Sequence, residues 1–208
     1  MSRPDWYFDV ISPYAYLQHR LLRDWPAEIK PRPIPILFAG LLGHWQHKGP
    51  AEIPAKRIFT YRQIVYLARR DGIPLRFPPA HPFNPLPALR LLIALDNQPT
   101  ALDAVFDHIW AEGRVLDGAA LETLGKRLGL ADPAAAIAAP AVKARLRENG
   151  ERALAKGLWG VPSLLVGEDI FWGYDSTAMC LDFLRDPALA ADAEMVRVSN
   201  LPMAVSRI

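Results

Sequence analysis

Cysteine is almost absent: among 208 residues there is one, Cys180, set between Met179 and Leu181. A single thiol excludes an internal disulfide and a dithiol redox pair, and its apolar neighbours mark it as a core residue. A bias of charge is missing too. With 24 basic and 22 acidic residues the formal charge is +2. The interspersed signs leave no basic stripe for nucleic acid, and Arg69-Arg70 reads as a solvated pair at a helix end. No apolar run approaches the length that crosses a membrane. Arg3 and Asp5 interrupt the N-terminus, so neither a signal peptide nor a membrane partner is expected, and a cytoplasmic location is.

What is present suffices for one substantial core with a large insertion: 51% of the chain is hydrophobic and 22% charged. The aromatic and β-branched run Trp6 to Ile11 predicts a strand, and the spacing of Tyr14, Leu17, Leu21, Leu22 and Trp25 predicts a helix from Tyr14 to Trp25. Ile29 to Phe38 carries Pro31, Pro33 and Pro35 and reads as an extended segment at a sheet edge. Helical patterns then follow over Ala55–Arg70, Leu86–Asp96, Ala101–Glu112, Gly118–Leu128 and Pro133–Lys156. The Pro-rich interval from Ile73 to Pro87 is a loop between helices and a candidate cleft wall. Val161 to Val166, a three-residue turn Gly167-Glu168-Asp169 and Ile170 to Trp172 predict a hairpin. A last helix spans Thr177 to Leu184, capped by Asp175 or Ser176.

The order is therefore βαβ, a helical block, then ββα, which is the order of an α/β thioredoxin-like fold interrupted by a large helical insertion. The expected division is 1–52 and 157–208 for the two parts of the thioredoxin-like domain and 53–156 for the insertion.

In such a fold Ser12-Pro13-Tyr14-Ala15 occupies the place where a redox protein carries Cys-x-x-Cys. Ser-Pro ahead of a helix is a common N-cap. The same geometry gathers a hydroxyl and unpaired backbone N–H groups at a helix N-terminus, where an anion such as a thiolate is favoured. Gly160-Val161-Pro162-Ser163 stands where thioredoxin-like folds place a cis-proline, and the residue before it offers backbone groups to a thiol peptide. Its isomer is open from sequence. His44 and His47 lie at i, i+3 without a third or fourth ligand nearby, so no metal is expected.

The motifs Asp9-Val10-Ile11-Ser12-Pro13-Tyr14-Ala15-Tyr16-Leu17, Lys48-Gly49-Pro50-Ala51 with Pro54-Ala55-Lys56, and Gly72-Ile73-Pro74 with Phe77-Pro78 occur in that order. Gly157 with Trp159-Gly160-Val161-Pro162 and Phe171-Trp172-Gly173 with Asp175 follow. Together, from Trp6 to about Leu184, they resemble the 2-hydroxychromene-2-carboxylate isomerases and their relatives, the kappa-class glutathione transferases. The resemblance implies a DsbA-like fold, glutathione as cofactor and a homodimer. It implies a glutathione set of Ser12, Tyr14, His47, Lys56, Val161, Pro162, Tyr174 and Asp175. Ser12 would stabilise the thiolate, Val161 would pair its backbone with the cysteinyl part, Asp175 with the Tyr174 backbone would hold the γ-glutamyl ammonium, and Lys56 would face a carboxylate. His47 stands where many relatives have asparagine.

The implied activity is isomerisation of 2-hydroxychromene-2-carboxylate or a related aromatic enone acid by reversible thiolate addition, bond rotation and elimination. Lys48 and Lys56, with Arg62 behind them, would anchor the substrate carboxylate. Trp45, Phe77, Phe83 and Trp110 are candidates for the cleft between the Pro-rich loop and the insertion. A kappa-like transferase would use the same Ser12 but release a conjugate, and a non-catalytic thioredoxin-like binding module would shift no thiolate. A disulfide oxidoreductase lacks its sulfurs.

Overall fold

Trp6, Tyr7 and Phe8 are consecutive and all buried, because the strand they form is covered on both faces. The structure, a computed structural model, describes residues 3–205. Four strands, β1 (Asp5–Phe8), β2 (Arg32–Pro35), β3 (Ser163–Val166) and β4 (Asp169–Trp172), form one mixed sheet in the order β2-β1-β3-β4. β2 runs parallel to β1, with Tyr7 opposite Ile34; β3 runs antiparallel to β1, with Tyr7 opposite Ser163. β2 is an edge strand, as its prolines require, since they lack the N–H that a central strand needs.

Alternation along the strands splits the core. Trp6, Phe8, Leu164 and Phe171 point to one face, against α1 (Pro13–Leu22), α4 (Leu86–Ala94), α5 (Pro99–Phe106) and α9 (Thr177–Arg185). Tyr7, Ile34 and Leu165 point to the other, against α2 (Phe38–His44) and α8 (Pro140–Ala155). The chain between β2 and β3 also contains α3 (Pro54–Arg70), α6 (Gly118–Arg127) and α7 (Pro133–Ala138), and α10 (Ala193–Ser199) closes the described chain. Proline starts many of these helices: Pro13, Pro54, Pro99, Pro133 and Pro140 each take the first helical position, where a missing N–H costs nothing.

Several expected boundaries move. Phe38 opens the unexpected helix α2 instead of ending an extended segment. The pattern Pro133 to Lys156 breaks into α7 and α8, because Pro140 forces Ala139 to an extended ψ of 133°. The first helix stops at Leu22, short of Trp25. Ala101 to Glu112 is α5 followed by a π-helical turn, Asp107–Ala111. The hairpin turn has two residues, not three: Val166 pairs with Asp169, and Gly167 takes φ 64° in the first turn position. Ser176 is the residue before α9, yet its hydroxyl donates to the Gly173 carbonyl and caps nothing. Cys180 is fully buried, which pushes its thiol up to about 12.

Candidate functional site

The segment leaving β1, residues 9 to 12, is fixed from four directions. Asp9 is buried, and its two carboxylate oxygens accept from the Ile11 N–H at 3.0 Å and the Phe38 N–H at 2.8 Å. Burial pushes this carboxyl up to about 7 against the pull of those two donors. The Asp9 carbonyl accepts from the Ser12 N–H at 3.0 Å. Trp110 donates its indole N–H to the Val10 carbonyl at 2.8 Å. His81 completes the set with Nε2 2.8 Å from the Ile11 carbonyl. A carbonyl only accepts, so Nε2 carries the proton and Nδ1 accepts from the Tyr61 hydroxyl at 2.7 Å. Burial holds the His81 imidazole below its usual pKa.

Ser12 is the N-cap of α1, in an extended conformation with φ −86° and ψ 115°. Its Oγ accepts from the Ala15 N–H at 3.3 Å, so the hydroxyl proton is left to donate. Pro13 has no N–H, and the Tyr14 N–H forms no hydrogen bond among the described residues. One hydroxyl donor and one backbone donor thus remain at the positive end of the helix. Although Ser12 itself is only 8% exposed, Tyr14 beside it is half-buried, with its hydroxyl donating to Gln63 Oε1 at 2.6 Å.

The pairing of Tyr7 with Ser163 carries Val161 and Pro162 to the end of β1 from which this loop departs. The Val161-Pro162 bond is cis, as is His81-Pro82. Pro162 accepts from the Gly173 N–H at 2.8 Å, while the Val161 N–H and C=O have no partner among the described residues. Gly160 lets the Trp172 indole lie close over the backbone: a Cβ there would be 2.4 Å from the indole nitrogen, so the ring would have to shift. Trp45 donates its indole N–H to the Leu158 carbonyl at 2.9 Å, which places it beside the same segment.

Gln18 ties the third part of the site to α1. Its amide accepts from the Trp6 indole at 2.7 Å and donates to the Gly173 carbonyl at 3.0 Å and to Thr177 Oγ1 at 2.9 Å. Asp175 follows on this clamped segment; its carboxylate is exposed, makes no ion pair among the described residues and helps to raise the Tyr14 phenol pKa, after burial. Tyr174 turns inward and donates its hydroxyl to Asp71, which Arg70 also grips through two nitrogens. Arg70 lies exposed at the end of α3, as its sequence position suggests, and is paired there with Asp71.

The structure brings Ser12, Tyr14, Val161, Pro162 and Asp175 into one neighbourhood, with Trp45 at its margin. Tyr174 adjoins Asp175, and the remaining candidates are tied to this group by no side-chain hydrogen bond among the described residues. His47, Lys48 and Lys56 are exposed and make no side-chain hydrogen bond to the site among the described residues. Phe83 packs half-buried against His81 and Trp110, with ring centroids at 5.9 and 6.1 Å. Trp110 is fully buried and cannot line a cleft; its indole serves the Val10 carbonyl instead. Asp9, Gln18, Tyr61 and His81 were missed as site residues. A lone acid inside an apolar strand and a histidine inside a Pro-rich loop are the signals that point to two of them. No group of three or more His, Cys, Asp and Glu is placed to hold a metal among the described residues, and no helix is long and apolar enough to cross a membrane.

A sheet of this order with a helix N-terminus and a cis-proline at one end defines a thioredoxin-like protein. Residues 5–185 match the DsbA-like thioredoxin domain, and the chain belongs to that family. It is 28% identical to a 2-hydroxychromene-2-carboxylate isomerase of Sphingobium xenophagum, over 87% of this chain and 95% of that protein. Against the glutathione S-transferase kappa 2 of Caenorhabditis elegans the identity is 25%, over 87% and 91%. A solved 2-hydroxychromene-2-carboxylate isomerase superposes with a TM-score of 0.74 at 22% identity, covering 93% of this chain and 99% of the other.

Proposed function

We propose that the chain is a glutathione-dependent isomerase acting on 2-hydroxychromene-2-carboxylate or a related aromatic enone acid. The observation that carries this reading is the state of Ser12: its oxygen is engaged by the Ala15 N–H, its proton is free, and the segment leading to it is held by Asp9, Trp110 and His81. Whether the site suits glutathione is a question of donors and acceptors. A thiolate needs donors, and the Ser12 hydroxyl and the Tyr14 N–H are available. An extended peptide needs a backbone edge, and both Val161 groups are unpartnered. An ammonium needs an unpaired carboxylate, which Asp175 supplies. The residues fit.

Ser12 would donate a hydrogen bond from its hydroxyl to the sulfur while the Ala15 N–H polarises its oxygen, and the helix end would add its partial positive charge. Each unit by which the thiol pKa falls corresponds to about 1.4 kcal/mol of thiolate stabilisation. Glutathione, when bound, supplies a nucleophilic thiolate that can add to and leave an electron-poor double bond. Val161 would hold the cysteinyl backbone in register with the α1 terminus, and Asp175 would fix the far end, clamped in place through Gln18 and Gly173. Lys48 and Lys56, exposed and without acidic partners among the described residues, would attract the substrate carboxylate. Names of relatives support both an isomerase and a transferase. The deciding experiment incubates the protein with 2-hydroxychromene-2-carboxylate and a small amount of glutathione. Isomer formed over many turnovers with glutathione recovered supports the proposal. Conjugation of electrophiles with no isomer formed contradicts it.

A further inference from the structure

Well away from residues 9 to 12, a cleft of about 790 Å3 opens between the end of α1, the β1–β2 edge, the turn joining α4 to α5, and α8. That volume is in the range of small-ligand sites, about 300 to 1,000 Å3. Its floor is apolar and drawn from the core: Trp6, Leu22, Ile34, Ile93 and Leu102. Its rim is cationic, with Arg3, Arg23, Lys30, Arg32, Arg145 and Arg152 against two acids, Asp96 and Asp103.

Asp103 is already neutralised, with His19 Nε2 at 2.8 Å and Arg23 at 3.6 Å, and the His19 contact holds its carboxyl below the usual range. Arg32 is paired with Asp5. Arg145 and Arg152 on α8 have no acidic partner among the described residues. Val142, Arg145, Asn149 and Arg152 follow at i, i+3, i+7 and i+10, a single stripe of the helix turned to the cleft. Asn149, only 3% exposed, donates to the Pro35 carbonyl at 3.0 Å and accepts from Arg152 Nη2 at 3.4 Å, which aims that guanidinium. On the opposite wall Asn97 Oδ1 is enclosed and accepts no hydrogen bond. Shielded from solvent, this oxygen offers the cleft no acceptor, and polar recognition falls to the two arginines.

We propose that this cleft is a second binding site, for a small organic anion with an apolar body, its acidic group held by Arg145 and Arg152. It is independent of Ser12 and of the isomerase reading.

Anilinonaphthalene sulfonate has both features, and N-phenylnaphthylamine has the same rings without the sulfonate, so the pair isolates the charge. Fluorescence titration should show the sulfonate binding once per chain, and Arg145→Ala with Arg152→Ala should weaken it about tenfold, as expected for two lost ion pairs. The uncharged probe should bind more weakly and ignore the double change. Ala141→Trp, at an exposed position of the cleft wall, should abolish sulfonate binding without altering the thermal melt. Saturating glutathione and Ser12→Ala should leave it unchanged. The proposal is overturned by absence of sulfonate binding, by equal affinity in the double variant, by full binding to Ala141→Trp, or by displacement with glutathione.

Discussion

His81 Nε2 lies 2.8 Å from the carbonyl of Ile11, so an imidazole from the Pro-rich loop anchors the backbone one residue ahead of Ser12. The Tyr61 hydroxyl, 2.7 Å from Nδ1, holds the ring from its other side. A helix of the chain between β2 and β3 thereby reaches the candidate thiolate site through two side chains, neither of which needs to touch a ligand.

Replacing His81 by Phe keeps a ring in the aromatic cluster of Phe77, Phe83 and Trp110 but leaves the Ile11 carbonyl without its donor. The expected loss is about 1–3 kcal/mol at neutral pH, read from urea midpoints. Burial depresses the folded pKa of His81, so the unfolded chain takes up a proton first as pH falls below about 6.5. His81 therefore contributes stability that is present above that pH and lost below it. The gap between parent and His81→Phe should narrow on acidification, and a gap that widens would refute the neutral imidazole.

Asp9 acts with the opposite sign. Its folded carboxyl is pushed up to about 7 from an ordinary 3.8, so the folded state keeps a proton that the unfolded state has released. The parent should lose stability through this group as pH rises from about 4 to about 7. Asp9→Asn removes the titration but turns an amide N–H toward Ile11 or Phe38. The variant should be less stable than the parent near pH 4, with the difference closing toward pH 8. A difference independent of pH would show that Asp9 is ionised throughout.

Asp175→Asn should weaken glutathione binding by about tenfold, the order expected for a hydrogen bond to a charged group. A glutathione analogue lacking the γ-glutamyl amino group should bind the parent and the variant equally. Isothermal titration of the four combinations checks this, and an equal loss with both ligands would remove Asp175 from ammonium binding.

The order of elements was legible because each signal is local: aromatic strands, helical spacing and Gly-containing turns need no partner to be read. α2 was not, since Phe38-Ala39-Gly40-Leu41-Leu42-Gly43-His44 follows prolines and carries two glycines, and what starts it is the distant Asp9 carboxylate accepting from the Phe38 N–H. Site residues divide in the same way. Ser12 and Val161-Pro162 sit in short motifs that place them. His81, Gln18 and Tyr61 work through contacts spanning 70, 155 and 20 positions of sequence, which no spacing encodes. Trp110 looked available as an aromatic lining because nothing local reveals that its indole is spent on the Val10 carbonyl.

The most direct test titrates glutathione bound to the protein, following thiolate absorbance against pH for the parent and for Ser12→Ala. Loss of the cap should cost the variant about 0.5–2 kcal/mol, so folding is confirmed first by circular dichroism. The account predicts that the apparent pKa of bound glutathione falls by at least about one unit below the ordinary thiol value near 8.5 in the parent and returns to it in Ser12→Ala. Glutathione that binds the parent with an unshifted pKa, or an equal shift in Ser12→Ala, would contradict it.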